Sequence, residues 1–205
     1  MKMELLKWFR QLRSISQYGL TYTKDAYDRE RFASVGAVAT DIATHLVGAS
    51  ADVVDETLQL EVGPPTPKLD VRAAVFQGEA ILLVREAGDG LWSLPGGWVD
   101  IDESPSRAAE RETKEESGYD CRATKLFAVW DRNRHGHPPS LLHVYKLFFL
   151  CELLGGVKAL SAETTDVGFF TLESLPALST ARVLKHQIEC AFRHRARPEL
   201  PTEFD

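Results

Sequence analysis

The stretch from Leu94 to Tyr119 constrains the fold more than any other part of the chain. It reads Leu94-Pro95-Gly96-Gly97, then Trp98 to Asp102, then Glu103, and after seven residues Arg111-Glu112-Thr113-Lys114-Glu115-Glu116-Ser117-Gly118. Two glycines after a proline make a loop. Pro105 suits the first turn of a helix, where its missing N–H costs little, and Ser104 before it is a candidate N-cap. Ser106 to Ser117 then reads as a helix, with Gly118 as its stop.

The acids on that helix form a pattern. Glu112, Glu115 and Glu116 stand at i, i+3 and i+4, so they share one face and span roughly 6 Å of the axis. Ala108 and Ala109 continue the stripe and leave room in front of the acids. Like charges on one stripe repel, and a hard divalent cation with oxygen ligands offsets them, Mg²⁺ being the usual ion near phosphates. Arg111 lies beside the acids and can hold a carboxylate in place. Glu103 is far enough upstream to reach back to Arg111. A charge run alone would read as a solvated face paired with Arg107, Arg111 and Lys114. The glycine loop at this spacing argues for a site instead.

Gly97, five residues, Glu103, seven residues, Arg111-Glu112, two residues, Glu115-Glu116, one residue and Gly118 resembles the Nudix box at all seven of its defining positions. Thr113 and Tyr119 stand where an aliphatic residue is usual. The resemblance implies an α/β fold, the Nudix α/β/α sandwich with a mixed sheet, preceded here by a helical region. It implies hydrolysis of a nucleoside diphosphate linked to another group X, with Mg²⁺ or Mn²⁺. It makes Glu112, Glu115 and Glu116 the metal ligands, together with the main-chain carbonyl of Gly96. The general base varies in the family between a box glutamate and an acid on a later loop. Glu112 is the first candidate here and Glu163, just before Thr164 to Phe170, the second. Arg111 and Glu103 complete the catalytic set.

The 205 residues suffice for one core and an appendage, at 44% hydrophobic and 26% charged. A net charge of −6 speaks against a broad nucleic-acid or anionic-membrane surface. Cys121, Cys151 and Cys190 are widely spaced and odd in number, as expected of buried thiols in a reducing compartment and not of a disulfide framework or zinc site. No apolar run approaches the ~20 residues of a membrane span, and residues 1–13 lack a cleavage site. The expected location is the cytoplasm.

Residues 3–17 carry Leu5, Leu6, Phe9, Leu12 and Ile15 at helical spacing, ended by Gly19. Thr23 or Asp25 opens a second helix that runs to Gly48, and Ala51 to Leu60 suggests a third. Gly63-Pro64-Pro65-Thr66-Pro67 reads as a rigid linker. Residues 1–62 are thus a helical region whose apolar stripes must pack on the core or on a second subunit, and a homodimer is expected. Residues 68–194 form the hydrolase domain, and 195–205 a loose tail. Within the domain, Val71–Phe76 and Ala80–Arg85 suggest a hairpin around Gln77-Gly78. Trp92–Leu94, Cys121–Trp130, Leu141–Leu153 and Val167–Thr171 suggest further strands, with Gly155-Gly156 turning the chain. Leu172–Leu175 and Ala181–Arg193 suggest helices.

Substrate contacts have less specific signals. Arg72 and Arg85 sit on strands that could flank a cleft, though Glu86 beside Arg85 favours a surface ion pair. Trp98 flanks the glycine loop, where it packs or stacks on a base. Asp131 opens a loop rich in charge, His and Pro, and His135 and His137 there lack a third ligand for zinc. Tyr22 lies in a polar-aromatic cluster of the helical region, where interface or substrate contact are both open.

A closer resemblance covers nearly the whole chain. Gly19-Leu20-Thr21-Tyr22, Tyr27-Asp28-Arg29-Glu30-Arg31, Pro67-Lys68-Leu69-Asp70-Val71-Arg72, His143-Val144-Tyr145-Lys146-Leu147-Phe148-Phe149 and Asp166-Val167-Gly168-Phe169-Phe170 look like the bacterial Nudix subgroup that includes CDP-choline pyrophosphatase. That resemblance implies a dimer made by the N-terminal region and the products CMP and phosphocholine. Some members are described as ADP-ribose pyrophosphatases, the alternative substrate. A Nudix-like ligand sensor without turnover is the alternative of another class, and the intact acids of the box argue against it.

Overall fold

The computed structural model describes residues 2–48, 50–58 and 63–205. The chain divides into two compact units, Met1–Pro67 together with Pro139–His143, and Lys68–Pro138 together with Val144–Asp205.

The N-terminal unit holds α1 (Lys2–Tyr22), α2 (Ala26–Val47) and α3 (Ala51–Leu58). Gly19 does not stop α1, contrary to expectation. A Cβ there would lie 2.2 Å from the Phe32 ring, so the glycine serves the close approach of α2. Next to it, Ser16 Oγ donates to the Phe32 carbonyl at 2.8 Å. Asp25 is the N-cap of α2 and accepts from the Asp28 N–H, and Gly48 closes the helix at φ 68°. The expected third helix ends at Leu58, and the rest of it, residues 59 and 60, lies outside the described residues. Leu6, Phe9, Ala39, Ala43 and Val54 make the core of this unit, with Leu141 packed against it. Arg10 donates to the carbonyls of Ser140, Leu141 and Leu142. The strand expected from Leu141 therefore starts three residues later, because that segment belongs to the helical unit.

The second unit is built on one mixed sheet of seven strands. They are β1 (Lys68–Gln77), β2 (Ala80–Glu86), β3 (Trp92–Ser93), β4 (Tyr119–Asp131), β5 (Val144–Gly156), β6 (Thr164–Phe170) and β7 (Glu203–Phe204). The order is β3-β2-β1-β5-β4-β7, with β6 also on β2. β1 runs parallel to β5 and β4 parallel to β7, while the other pairs are antiparallel. The middle strands are apolar on both faces, and this explains the two helices. Val71, Ala73, Val75, Leu82 and Val84 pack with Ala108 and Ala109 of α4 (Pro105–Ser117). The alternate residues Ala74, Ile81 and Leu83 pack with Ile188 and Ala191 of α5 (Lys185–Ala196). The result is the three-layer Nudix sandwich.

Two expectations are corrected here. Gly155-Gly156 does not turn the chain; both residues continue β5 against Asp120 and Tyr119. The tail is not loose. β7 pairs with Ala128 and Val129, Thr202 Oγ1 donates to the Leu126 carbonyl at 2.7 Å, and Lys125 Nζ donates to the carbonyls of Pro198 and Leu200. Its partners are distant in sequence, so local composition does not reveal them.

Candidate active site

The box loop is laid along β1. The Ala73 N–H donates to the Pro95 carbonyl at 2.9 Å and the Val71 N–H to the Gly97 carbonyl at 2.8 Å. The intervening Gly96 carbonyl is outside this ladder. Gly96 has φ 143°, and a Cβ on it would lie 2.0 Å from the Val71 carbonyl oxygen, so only glycine fits. A Cβ on Gly97 would stand 2.7 Å from Glu112 Oε1. Gly96 thus lets the loop lie close against β1, and Gly97 keeps open the space between the loop and Glu112. Ser104 is the N-cap and Gly118 the αL stop of that helix, as its sequence predicts.

The acids are arranged around Arg111. Its Nε and Nη2 hold both oxygens of Glu103 at 3.0 and 2.9 Å, and its Nη1 reaches Glu112 at 3.0 Å and Glu115 at 3.1 Å. Glu103 anchors the guanidinium bidentately, which raises the Arg111 pKa and lowers that of Glu103. Glu116 stands apart and is buried. Its Oε2 accepts the Gly96 N–H at 3.0 Å. Burial, reinforced by the charges of Glu86 and Glu112, pushes its carboxyl up to about 8, against the pull of Arg72 and the Gly96 amide. Burial raises the Glu112 carboxyl too. Glu115 is 58% exposed at its side chain.

This donor set suits a hard divalent cation: carboxylates and a carbonyl, all oxygen, with burial making the ionised form of Glu112 and Glu116 costly. Their oxygens are not yet gathered. Among the described residues, the one group of three acids, His or Cys with ligand atoms all within 4.8 Å lies elsewhere. Arg111 draws Glu112 and Glu115 to itself while Glu116 turns to the Gly96 amide.

The other predicted residues scatter. Arg72 is buried and is not a cleft-lining contact. It pairs through Nε and Nη2 with Asp70 at 3.0 and 2.7 Å, and donates Nη1 to the Leu94 carbonyl at 3.1 Å. Lys146 Nζ joins the same carboxylate at 2.5 Å. Burial alone would raise the Asp70 carboxyl, but Arg72 and Lys146 hold it at about 2. Burial brings the Lys146 ammonium down to about 8. Arg72 therefore backs the box loop from the sheet side, and its charge is felt by Glu116. Arg85 is exposed and donates to the Gly90 carbonyl at 2.7 Å. Trp98 is half exposed, on a bridge to Asp70. Asp131 caps a short 3₁₀ turn by accepting the Asn133 N–H at 2.9 Å. Glu163 is exposed in a bend before β6, with its own carbonyl bonded to Ala87. Tyr22 is exposed at the end of α1, stacked on Tyr18.

One acid escaped the sequence reading. Glu86 is buried, accepts from Ser93 Oγ at 2.5 Å and pairs with Arg182 Nε at 3.0 Å. Its charge adds to the burden on Glu116. The pair Arg85-Glu86 looks like a surface ion pair, but the strand register turns Arg85 out and Glu86 in. The alternation from Val84 was the available signal.

The fold and box geometry define a class, and comparison with known proteins places the chain within it. Residues 66–189 match the family described as NUDIX domain, and residues 3–58 match one described as UDP-X-like, N-terminal oligomerisation domain. A putative ADP-ribose pyrophosphatase of Bacillus subtilis is 41% identical over 202 residues, 97% of each chain. The solved structure of an ADP-ribose pyrophosphatase from Streptococcus suis is 43% identical and covers 68% of this chain and 100% of its own, with TM-score 0.64. A solved UDP-X diphosphatase is 31% identical over 100% of this chain and 99% of its own, also at TM-score 0.64.

The chain belongs to the Nudix family. It is an enzyme of that family, a diphosphatase of nucleoside diphosphate derivatives that works with divalent metal ions. No helix among the described residues is long and apolar enough to cross a membrane.

Proposed function

We propose that the chain hydrolyses the diphosphate of CDP-choline to CMP and phosphocholine, with Mg²⁺ bound by Glu112, Glu115, Glu116 and the Gly96 carbonyl. The observation that carries the metal reading is Glu116, a buried acid pushed up to about 8 and facing the glycine loop, in want of a cation. The cytidine reading rests on the motifs shared over the full length with the CDP-choline subgroup. Mg²⁺ would neutralise the diphosphate and acidify its bound water.

The chain's own residues do the rest. Glu103 fixes Arg111, and Arg111 keeps Glu112 and Glu115 in reach of the loop. Glu112, whose carboxyl burial raises from its ordinary value, is the first candidate to take the proton of the attacking water. Glu163 is the second candidate. Arg72 supplies fixed positive charge behind the loop. Trp98 offers an exposed aromatic face beside the loop for a base or a quaternary ammonium. Residues 68–194 are read as the hydrolase domain and residues 1–62 as the dimerisation region of a homodimer.

The names of two relatives favour a second reading, ADP-ribose as substrate. The specificity constants for CDP-choline and ADP-ribose at one Mg²⁺ concentration separate them. CDP-choline is expected to lead, because a pocket cut for cytosine leaves buried polar groups unpaired when adenine enters. A lead for ADP-ribose of more than about tenfold, ~1.4 kcal/mol in transition-state binding, would replace the first reading by the second.

A further inference from the structure

The C-terminal helix and the last strand bring together three side chains that the active site does not use. Cys190 and His194 stand at i and i+4 on α5, hence on one face. β7, seated beside β4, delivers Glu203 to them. One ligand atom of each residue lies within 4.8 Å of the others, and no other such group is found among the described residues. Cys190 and His194 are buried. His194 Nε2 lies 3.1 Å from Glu203 Oε1, and Nδ1 is enclosed without a hydrogen-bond partner among the described residues. Arg193 touches both of the other members. Its Nη2 contacts Cys190 Sγ at 3.3 Å and pairs with Glu203 Oε1. The cluster thus already gathers around a cation, and one that can leave: the Arg193 side chain is 42% exposed on a flexible stem.

We propose that Cys190, His194 and Glu203 form a second metal site, for a borderline-soft divalent cation of the Zn²⁺ class that displaces Arg193 and fastens the C-terminal strand to α5. Thiolate, imidazole and carboxylate are the donors such an ion selects, whereas the oxygen-only box acids select Mg²⁺. The two sites therefore sort two kinds of ion. Coordination releases the thiol proton to solvent and leaves a fourth position for water. The sequence reading set zinc aside on the wide spacing of the cysteines and the missing third ligand for His135 and His137; Glu203 reaches α5 only through the non-local pairing of β7 with β4.

The test is a Co²⁺ titration of the metal-free full chain, with excess Mg²⁺ present to fill the oxygen site. A thiolate-to-cobalt charge-transfer band is expected, saturating at one equivalent. It should vanish in Cys190→Ser and persist in Cys121→Ser and Glu116→Gln. Zn²⁺ should then bleach the band and raise the melting temperature of the wild type but not of Cys190→Ser, whose Mg²⁺-dependent hydrolysis stays at the wild-type rate. Should Cys190→Ser not fold, Glu203→Gln gives the same comparison, lowering Co²⁺ affinity at least ~tenfold, about 1.4 kcal/mol. Absence of the band in the wild type, its survival in a folded Cys190→Ser, or undiminished affinity in Glu203→Gln overturns the proposal.

Discussion

At the scale of single residues, Glu116 carries the most information. Its folded-state carboxyl stands at about 8 against an ordinary 4.5. For a raised pKa, the stability contributed is full below the ordinary value and is lost as pH rises through the folded one. Without metal, this group therefore weakens the fold between about pH 4.5 and 8. A divalent ion reverses that loss, because it binds the ionised form. The melting-temperature gain on adding Mg²⁺ should accordingly be larger at pH 9 than at pH 6. Glu116→Gln should flatten that difference, keep the fold, weaken Mg²⁺ binding and cut turnover by at least ~10²-fold. Calorimetry across pH together with single-turnover rates checks this, and full activity in the variant would sink the assignment of Glu116 as a ligand.

At the scale of elements, α4 was legible because every signal for it is local: cap, first-turn proline, glycine stop and the three acids at helical spacing. The strands were legible as apolar runs, and their burial on both faces explains why periodicity did not mark their ends. What escaped the sequence is non-local. Asp70 and Arg72 alternate on one strand, but the ammonium that completes their cluster comes from Lys146 on a neighbour, 76 residues later. Glu86 was missed for the same reason, since its cation arrives from Arg182. Gly19 was misread because a glycine in a helical pattern signals either a stop or a close approach, and Phe32 decides which. Gly19→Leu should therefore wedge α1 from α2, the Phe32 ring lying 2.2 Å from a mere Cβ. We expect a loss of about 1–3 kcal/mol, as for an overpacked core. Urea unfolding of the variant measures it, and an unchanged midpoint would return Gly19 to the role of a terminator.

At the scale of the whole molecule, the helical unit leaves Trp8, Ile15, Tyr18, Val38 and Val47 exposed in a single chain. Residues 3–58 match a family described as an oligomerisation domain, and on the proposed dimer these side chains are the ones expected to be covered. Light scattering at micromolar concentration should find a dimer, and a chain lacking residues 1–62 should be monomeric. A monomeric full-length chain would end that reading. The tail has a different bearing on self-association. β4 is 13 residues long, and among the described residues its outer edge has strand partners at Ala128 and Val129 alone. Those two residues are covered by the strap that ends in Asp205, whose carboxylate is bonded to His135 and to the Asp131 amide. Lys125 ties the same strap to β4 through the carbonyls of Pro198 and Leu200. Stripping residues 197–205 would bare a row of amides and carbonyls, the template on which a stray strand of another molecule adds. Such a truncation should leave the box acids working at first and yet turn the protein into a slow seeder of fibres. Thioflavin fluorescence over days tells the two chains apart: it should climb for the shortened one and stay flat for the intact one, and equal traces would show that the strap protects nothing.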